Sequence, residues 1–331
     1  MKTVLVTGGA GYVGSGLVRD LLFDGYQVVC LDNLKFGGES LLNIWHNPNF
    51  EFYACDINEH AEVDEILQAY DIYAIVHLAA IVGDPACKRE YDLATRTNWE
   101  SSKWLVDRAQ ELNVHKFIFA STCSNYGKMG DDAGYVDEHS PLAPVSHYAE
   151  LKVQFENYIL HEMQRSKSFC PTLLRFATVY GISPRMRFDL TVNEFTKELT
   201  LGRQMPVYGE QFWRPYCHVK DFSRAFRTVL EAPSENVAYD VFNVGSTEEN
   251  YTKQMIVDEI KRLIPTADIK YVHKEEDPRD YKVNFEKIRN ELGFQVSKAV
   301  PDGIREVKEI VANGVISDPE DQRYYNIPHS K

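Results

Sequence analysis

The chain has 331 residues, 44% of them hydrophobic and 26% charged, which suits one large α/β unit or a nucleotide-binding domain with a smaller one appended. Its net charge of −13 argues against a nucleic-acid or anionic-membrane partner, although a few arginines and backbone N–H groups can hold an anionic ligand locally. Six scattered cysteines without a Cys-x-x-Cys argue against zinc and a disulfide framework, and no metal site is expected. There is no apolar run of about 18 residues to span a membrane and no signal-peptide pattern, so the cytoplasm is the expected compartment.

In chain order, residues 4–6 read as a strand, 12–23 as a helix, and 27–31, 51–53 and 74–76 as strands. Residues 88–112 read as one long helix, 116–120 as a strand, 146–165 as a helix and 173–175 as a strand. Such alternation predicts an α/β fold, a doubly wound parallel (Rossmann) sheet covered on both faces. After about residue 181 the pattern breaks, with helices near 189–201, 219–231, 252–264 and 302–312. The expected division is a nucleotide-binding domain over 1–180 and a smaller mixed α/β, substrate-binding domain over 181–331, with some later segments returning to the first.

The first strand runs into Thr7-Gly8-Gly9-Ala10-Gly11-Tyr12-Val13-Gly14, and a helix follows. Gly8 permits the tight turn, Gly11 lets the backbone approach a pyrophosphate, and Gly14 lets helix and strand pack closely. The helix N-terminus offers unpaired N–H groups to the phosphates, with Tyr12 and Val13 beside them. The next strand ends on Asp32, where an acidic residue accepts the ribose hydroxyls and repels a 2′-phosphate, so NAD is the expected cofactor rather than NADP. Neighbouring Asn33 brings no compensating positive charge, whereas nearby Lys35 does.

Further motifs follow in order: Asp56-Ile57, His77-Leu78-Ala79-Ala80, Ser121-Thr122, Tyr126-Gly127, Tyr148-x-x-x-Lys152, Arg175-x-x-x-Val179-Tyr180-Gly181, Arg214-x-x-x-His218-Val219-x-Asp221 and Asn243-Val244-Gly245. With the glycine turn they make nearly the whole chain similar to the extended short-chain dehydrogenase/reductases, the nucleotide-sugar epimerases and dehydratases. The resemblance implies that Asp56 and Ile57 flank the adenine, that Leu78, Ala79 and Ala80 line the cofactor, and that Lys152 holds the nicotinamide ribose. It implies that Thr122 hydrogen-bonds the reacting hydroxyl and that Asn193 contacts the diphosphate or sugar. It also implies a homodimer built on the helices that carry Trp99, Trp104 and Leu105 and, after Tyr148, Val153, Phe155, Tyr158 and Ile159. Residues 82–89, the run Gly181-Ile182-Ser183-Pro184-Arg185-Met186-Arg187 and Asp277-x-Arg279-Asp280-Tyr281 resemble a subgroup that includes GDP-heptose C4 dehydrogenases.

Tyr148 and Lys152 stand at i and i+4 of an expected helix and share a face. The ammonium, with the charge of an oxidised nicotinamide, is expected to lower the phenol's pKa so that Tyr148 exchanges a proton with a sugar hydroxyl while hydride moves. Ser124 is a second candidate for substrate contact. Arg214 and Arg279 are the best candidates for a diphosphate, because guanidinium pairs phosphate in a fixed fork. For Arg185 and Arg187 a ligand contact and a solvated loop are both open, as are ligand and structural roles for His218; Asp221 is expected to cap the helix after Val219. Where 4,6-dehydratases of the family carry Asp-Glu after this Thr, the chain has Cys123-Ser124, and Ala177-Thr178 replaces the usual Asn before Val-Tyr-Gly. The reading is redox chemistry at C4 of a nucleotide-diphosphate sugar by a 4-epimerase, with a C4 dehydrogenase or 4-ketoreductase as the alternative and an idle NAD-binding scaffold as a different class.

Overall fold

Residues 1–128, 134–274 and 279–327 are described by a computed structural model. The strands are β1 (Thr3–Thr7), β2 (Gln27–Asp32), β3 (Phe50–Ala54), β4 (Ile72–His77), β5 (Lys116–Thr122), β6 (Tyr135–Val136), β7 (Cys170–Phe176), β8 (Thr178–Tyr180), β9 (Met205–Tyr208), β10 (Trp213–His218), β11 (Asp240–Val244), β12 (Asn250–Thr252), β13 (Ile269–Val272) and β14 (Lys282–Val283). The helices are α1 (Gly14–Phe23), α2 (His60–Ala69), α3 (Asp84–Arg89), α4 (Tyr91–Thr95), α5 (Ser102–Glu111), α6 (His147–Asn157), α7 (Thr191–Thr200), α8 (Val219–Glu231), α9 (Lys253–Leu263), α10 (Glu286–Leu292) and α11 (Val300–Ala312).

Seven strands form one parallel sheet in the order β11-β7-β5-β4-β1-β2-β3. Strand period two explains why both faces are covered. In β1, Val4 and Val6 face a core with Leu17, Val18 and Leu21 of α1, while Leu5 faces Ile66 of α2 and Leu105 of α5. The strand order reverses between β1 and β4, and a crevice at such a point, beyond the carboxyl ends of the strands, is where a ligand binds in open α/β sheets. The edge strand β11 comes from the second half of the chain and pairs with β7 from Asp240↔Thr172 to Val244↔Phe176. Helix α8 also returns: Ser223 Oγ donates to Asp20 of α1 at 2.7 Å. The buried ammonium of Lys116 donates to the carbonyls of Val229 (2.9 Å) and Ala232 (2.5 Å), where α8 ends and its dipole favours a cation.

The remaining strands form small sheets, β12-β10-β8, β13-β9 and β14-β6, around a core that includes Tyr180, Phe195, Val207, Tyr216 and Ile256. The expected helix over 88–112 is instead three pieces. Pro85 opens α3, Glu90 breaks it in a non-helical conformation, and α4 then runs through a π-helical stretch (Arg96–Ser101) into α5. That wider turn directs Asn98 inward to hydrogen-bond the backbone N–H (2.8 Å) and carbonyl (2.9 Å) of Ile81, a demand that helical periodicity does not show. The helix expected to reach residue 165 keeps α-geometry only to Asn157 and ends in a second π turn. Among the described residues, no helix is long and apolar enough to cross a membrane.

Candidate active site

The turn after β1 is built for glycine. Gly8 has φ +72°, and a Cβ there would lie 2.8 Å from the Ala79 nitrogen. A Cβ on Gly14 would lie 2.2 Å from the Gly8 carbonyl oxygen, so α1 could not start this close to the strand. Thr7 Oγ1 accepts from the N–H groups of Leu78 (3.1 Å) and Ala79 (3.2 Å) and lies 2.7 Å from His77 Nδ1. His77 Nε2 is 2.8 Å from Ser102 Oγ, and burial pushes this imidazole down to about 3, so it holds the turn as a neutral ring. Asp32, at the end of β2, accepts from the N–H groups of Ala10 (3.0 Å) and Leu34 (2.8 Å). Asp56 accepts from Asn33 (2.7 Å) and Asn58 (2.6 Å). Lys35, the cation nearest the ribose position in sequence, donates to Glu90 at 2.6 Å.

One cavity of about 580 Å³ gathers these groups. Gly8, Gly11, Tyr12, Val13, Gly14, Asp32, Asn33, Asp56, Ile57, Leu78, Ala79 and Ala80 line it, and so do Thr122, Ser124, Tyr148, Lys152, Arg214 and Arg279. Asn193 does not. It is fully buried, its Oδ1 accepts from Gly181 N–H (2.9 Å), and its Nδ2 donates to the Arg187 carbonyl (2.9 Å).

Helix α6 presents the pair Tyr148 and Lys152. Ser146 caps it, accepting from Ala149 N–H (3.3 Å) and donating to Asp84 (2.7 Å). Lys152 Nζ donates to the Ala120 carbonyl at 2.7 Å and lies 5.8 Å from the Tyr148 ring centre. Burial pushes the Lys152 ammonium down to about 8. Burial pushes the Tyr148 phenol up, with Cys87 and Asp84 adding to the effect and Arg187 opposing it. The expected lowering by Lys152 is therefore absent from the protein alone: the ammonium is spent on a backbone carbonyl and the phenol is desolvated. Thr122 Oγ1 accepts from Ser124 N–H (3.1 Å). Beneath the pair lies a buried network. Glu156 of α6 accepts from Arg175 of β7 through Nε (3.0 Å) and Nη2 (2.6 Å), from Asn125 (2.9 Å) and from Ser121. Arg175 Nη1 donates to Tyr126 Oη (3.0 Å), which donates to Asn243 (2.7 Å).

The arginines divide. Arg279 pairs with Asp84 at 2.9 Å, Arg214 donates to its neighbouring Trp213 carbonyl at 2.7 Å, and Arg187 pairs with Asp189 at 2.9 Å. Asp277 lies outside the described residues. His218 is buried, 2.8 Å from Glu306 and away from the cavity. The cap of α8 is this histidine, whose Nδ1 accepts from Lys220 N–H (3.1 Å), and not Asp221. Asp221 instead holds a distant segment, accepting from Ser297 N–H (2.9 Å) and Lys298 N–H (3.1 Å).

The family model described as the NAD dependent epimerase/dehydratase family matches residues 4–245. The chain belongs to that family. It is similar to dTDP-glucose 4,6-dehydratase of Streptomyces niveus, 31% identical over 318 residues that cover 92% of this chain and 91% of the relative. UDP-glucose 4-epimerase of Thermotoga maritima, solved with UDP-glucose, superposes with a TM-score of 0.82 at 26% identity, over 95% of this chain and 99% of that one. A dTDP-glucose 4,6-dehydratase of Streptomyces venezuelae, solved with NAD, gives 0.81 at 26% identity over 95% and 98%. The protein is thus an NAD-dependent enzyme of the nucleotide-sugar epimerase/dehydratase superfamily.

The residues present fit NAD: the glycine turn leaves no room for Cβ atoms, and Asp32 stands in the cavity wall. Within the family, the Cys123 position is informative. Its thiol is turned into the core, donates to the Arg175 carbonyl at 3.2 Å, and is pushed far up by burial. Sequence reasoning overlooked Phe36, Tyr216 and Lys253, which also line the cavity. Phe36 follows Asp32 by four residues and Tyr216 is one of the unspecified positions between Arg214 and His218, so their motifs lay close by without marking them, whereas Lys253 stands in no motif.

Proposed function

We propose that this enzyme is a nucleotide-sugar 4-epimerase. The observation that carries the reading is the pairing of Thr122, Tyr148 and Lys152 in one cavity with a Cys123 thiol buried away from it. NAD supplies hydride acceptance and return at the sugar carbon. Tyr148 exchanges the proton of the C4 hydroxyl, Thr122 hydrogen-bonds the same oxygen as it alternates between alcohol and ketone, and Lys152 orients the ribose and adds positive charge near the phenol. Arg214 and Arg279 bind the diphosphate, Arg279 by leaving Asp84. Elimination of water needs a further acid and base beside Thr122. A core thiol far above its ordinary value and the Ser124 hydroxyl supply neither at neutral pH. We further propose a homodimer and an NAD preference set by Asp32.

Purified enzyme is incubated with UDP-, GDP-, dTDP- and CDP-hexoses and followed by chromatography, mass and nicotinamide absorbance. Epimerisation gives a 4-epimer of unchanged mass and no lasting absorbance change. A sustained rise near 340 nm (about 340, the reduced-nicotinamide band) with a ketone product would assign net dehydrogenation instead. A product lighter by roughly one water, about 18 Da, would overturn the argument from Cys123.

A further inference from the structure

The loop between β8 and α7 comes from the second half of the chain and docks on the glycine turn. Tyr12 Oη donates to the Gly181 carbonyl (2.5 Å), and Ser183 Oγ donates to the Tyr12 carbonyl (2.6 Å). Asn193 Nδ2 lies 3.2 Å from Tyr12 Oη and holds the far side of the loop through the Arg187 carbonyl. This docking carries Arg185 onto the cavity wall, where it is only 7% exposed and its guanidinium lies 4.3 Å from the Phe36 ring centre.

The guanidinium is not satisfied there. Its Nε and Nη2 are both buried and neither has a hydrogen-bond partner. The nearby carboxylates are engaged elsewhere: Asp32 accepts from two backbone N–H groups, and Asp189 is paired with Arg187. By contrast, the deeply buried Arg175 of the Rossmann sheet has Glu156. A buried cation with two unpaired donors is costly until an anion with several acceptor oxygens meets it.

We propose that Arg185 is a positioning residue for the pyrophosphate of the bound dinucleotide, a fork supplied from the second half of the chain over the glycine turn. Diphosphate chemistry also occurs in the sugar nucleotide, but beyond Arg187 and Asp189 of its own loop Arg185 faces Tyr12 of the turn, Asp32 at the end of β2 and Phe36 just after it, all on the dinucleotide side of the cavity. The inference rests on the cavity being the NAD site and not on which sugar reaction follows.

The test uses the full chain, stripped of nucleotide, with Arg185→Ala, Arg185→Gln and Arg185→Lys, and calorimetry with NAD, ADP-ribose and UDP. The expected result is that Ala and Gln weaken NAD and ADP-ribose alike by about 10- to 100-fold, the worth of a lost charge-assisted fork, and speed NAD release, with UDP affinity unchanged. Lysine, which keeps the charge and loses the fork, falls between. Should Ala destabilise the fold, the Gln and Lys variants, checked by thermal melts, carry the comparison. NAD and ADP-ribose affinities within twofold of wild type in any folded neutral variant overturn the assignment. A loss confined to UDP places Arg185 on the sugar nucleotide and overturns it equally. Failure of the wild-type chain to bind NAD or ADP-ribose would sink the site reading itself.

Discussion

Tyr148 keeps its proton in the protein by itself, because burial, reinforced by Cys87 and Asp84, outweighs the opposing Arg187. Its proposed use as a base therefore depends on the positive charge that an oxidised cofactor brings. Tyr148→Phe is expected to bind NAD as wild type and to lose at least about 10²-fold in turnover, the usual worth of positioned acid–base catalysis; calorimetry paired with an epimerisation assay checks both halves. Lys152 yields a prediction about pH. Its ammonium titrates near 8 in the folded chain against an ordinary 10.5. Between those values the unfolded chain binds more protons, so this group adds stability as pH rises through that window and withholds it below 8. In the cofactor-free protein, urea midpoints of wild type should gain on those of Lys152→Met from pH 8 to 10. Parallel curves for the two proteins would exclude Lys152 as the titrating group.

Among elements, the site is fixed by a buried ion pair rather than by the strands alone. Arg175 on β7 and Glu156 on α6 are nearly inaccessible, and of the residues that follow β5, Asn125 donates to Glu156 and Tyr126 accepts from Arg175. The pair thus locks the end of the strand carrying Thr122 to the helix carrying Tyr148 and Lys152. Removing one partner strands the other charge. Glu156→Ala should cost roughly 3–5 kcal/mol of stability, read from equilibrium denaturation, whereas an exposed pair such as Arg305–Asp302 should be worth under about 1 kcal/mol. The helices show the limit of periodicity. The apolar pattern of 88–112 was legible as helix, but the break at Glu90 and the π stretch answer to Asn98 and Ile81, a contact across the chain.

At the scale of the molecule, a chain of net charge −13 places Arg185, Arg187, Arg214 and Arg279 around one cavity, a local field suited to two diphosphates. The expected dimer helices are only partly consumed by the fold. Leu105, Phe155 and Ile159 are fully buried against the protein's own sheet, while Trp99, Trp104, Val153 and Tyr158 are only partly buried, the first two and Tyr158 resting on the edge of that core. Those four define the face proposed to meet its two-fold mate. Light scattering at micromolar concentration should give twice the chain mass of 38.0 kDa, and Trp104→Glu should shift it toward that single value. A wild-type protein that is wholly monomeric would reject the proposed interface.

The parts of this protein that its sequence determined by itself are those set by short spacing. They are the parallel α/β alternation, the glycine turn running from Gly8 to Gly14, Asp32 at the end of the next strand, and Tyr148 and Lys152 one helical turn apart. Each follows from local sterics or from the helical period, so each was legible before any contact was known. Tertiary structure alone decided that β11 completes the sheet, that Asp221 anchors Ser297 rather than capping α8, that Asn193 serves the loop and not the cavity, and that the Cys123 thiol faces inward. It also decided the protonation of Tyr148 and the unpaired state of Arg185. These depend on desolvation and on partners far away in sequence, and both come into being only when the chain is folded.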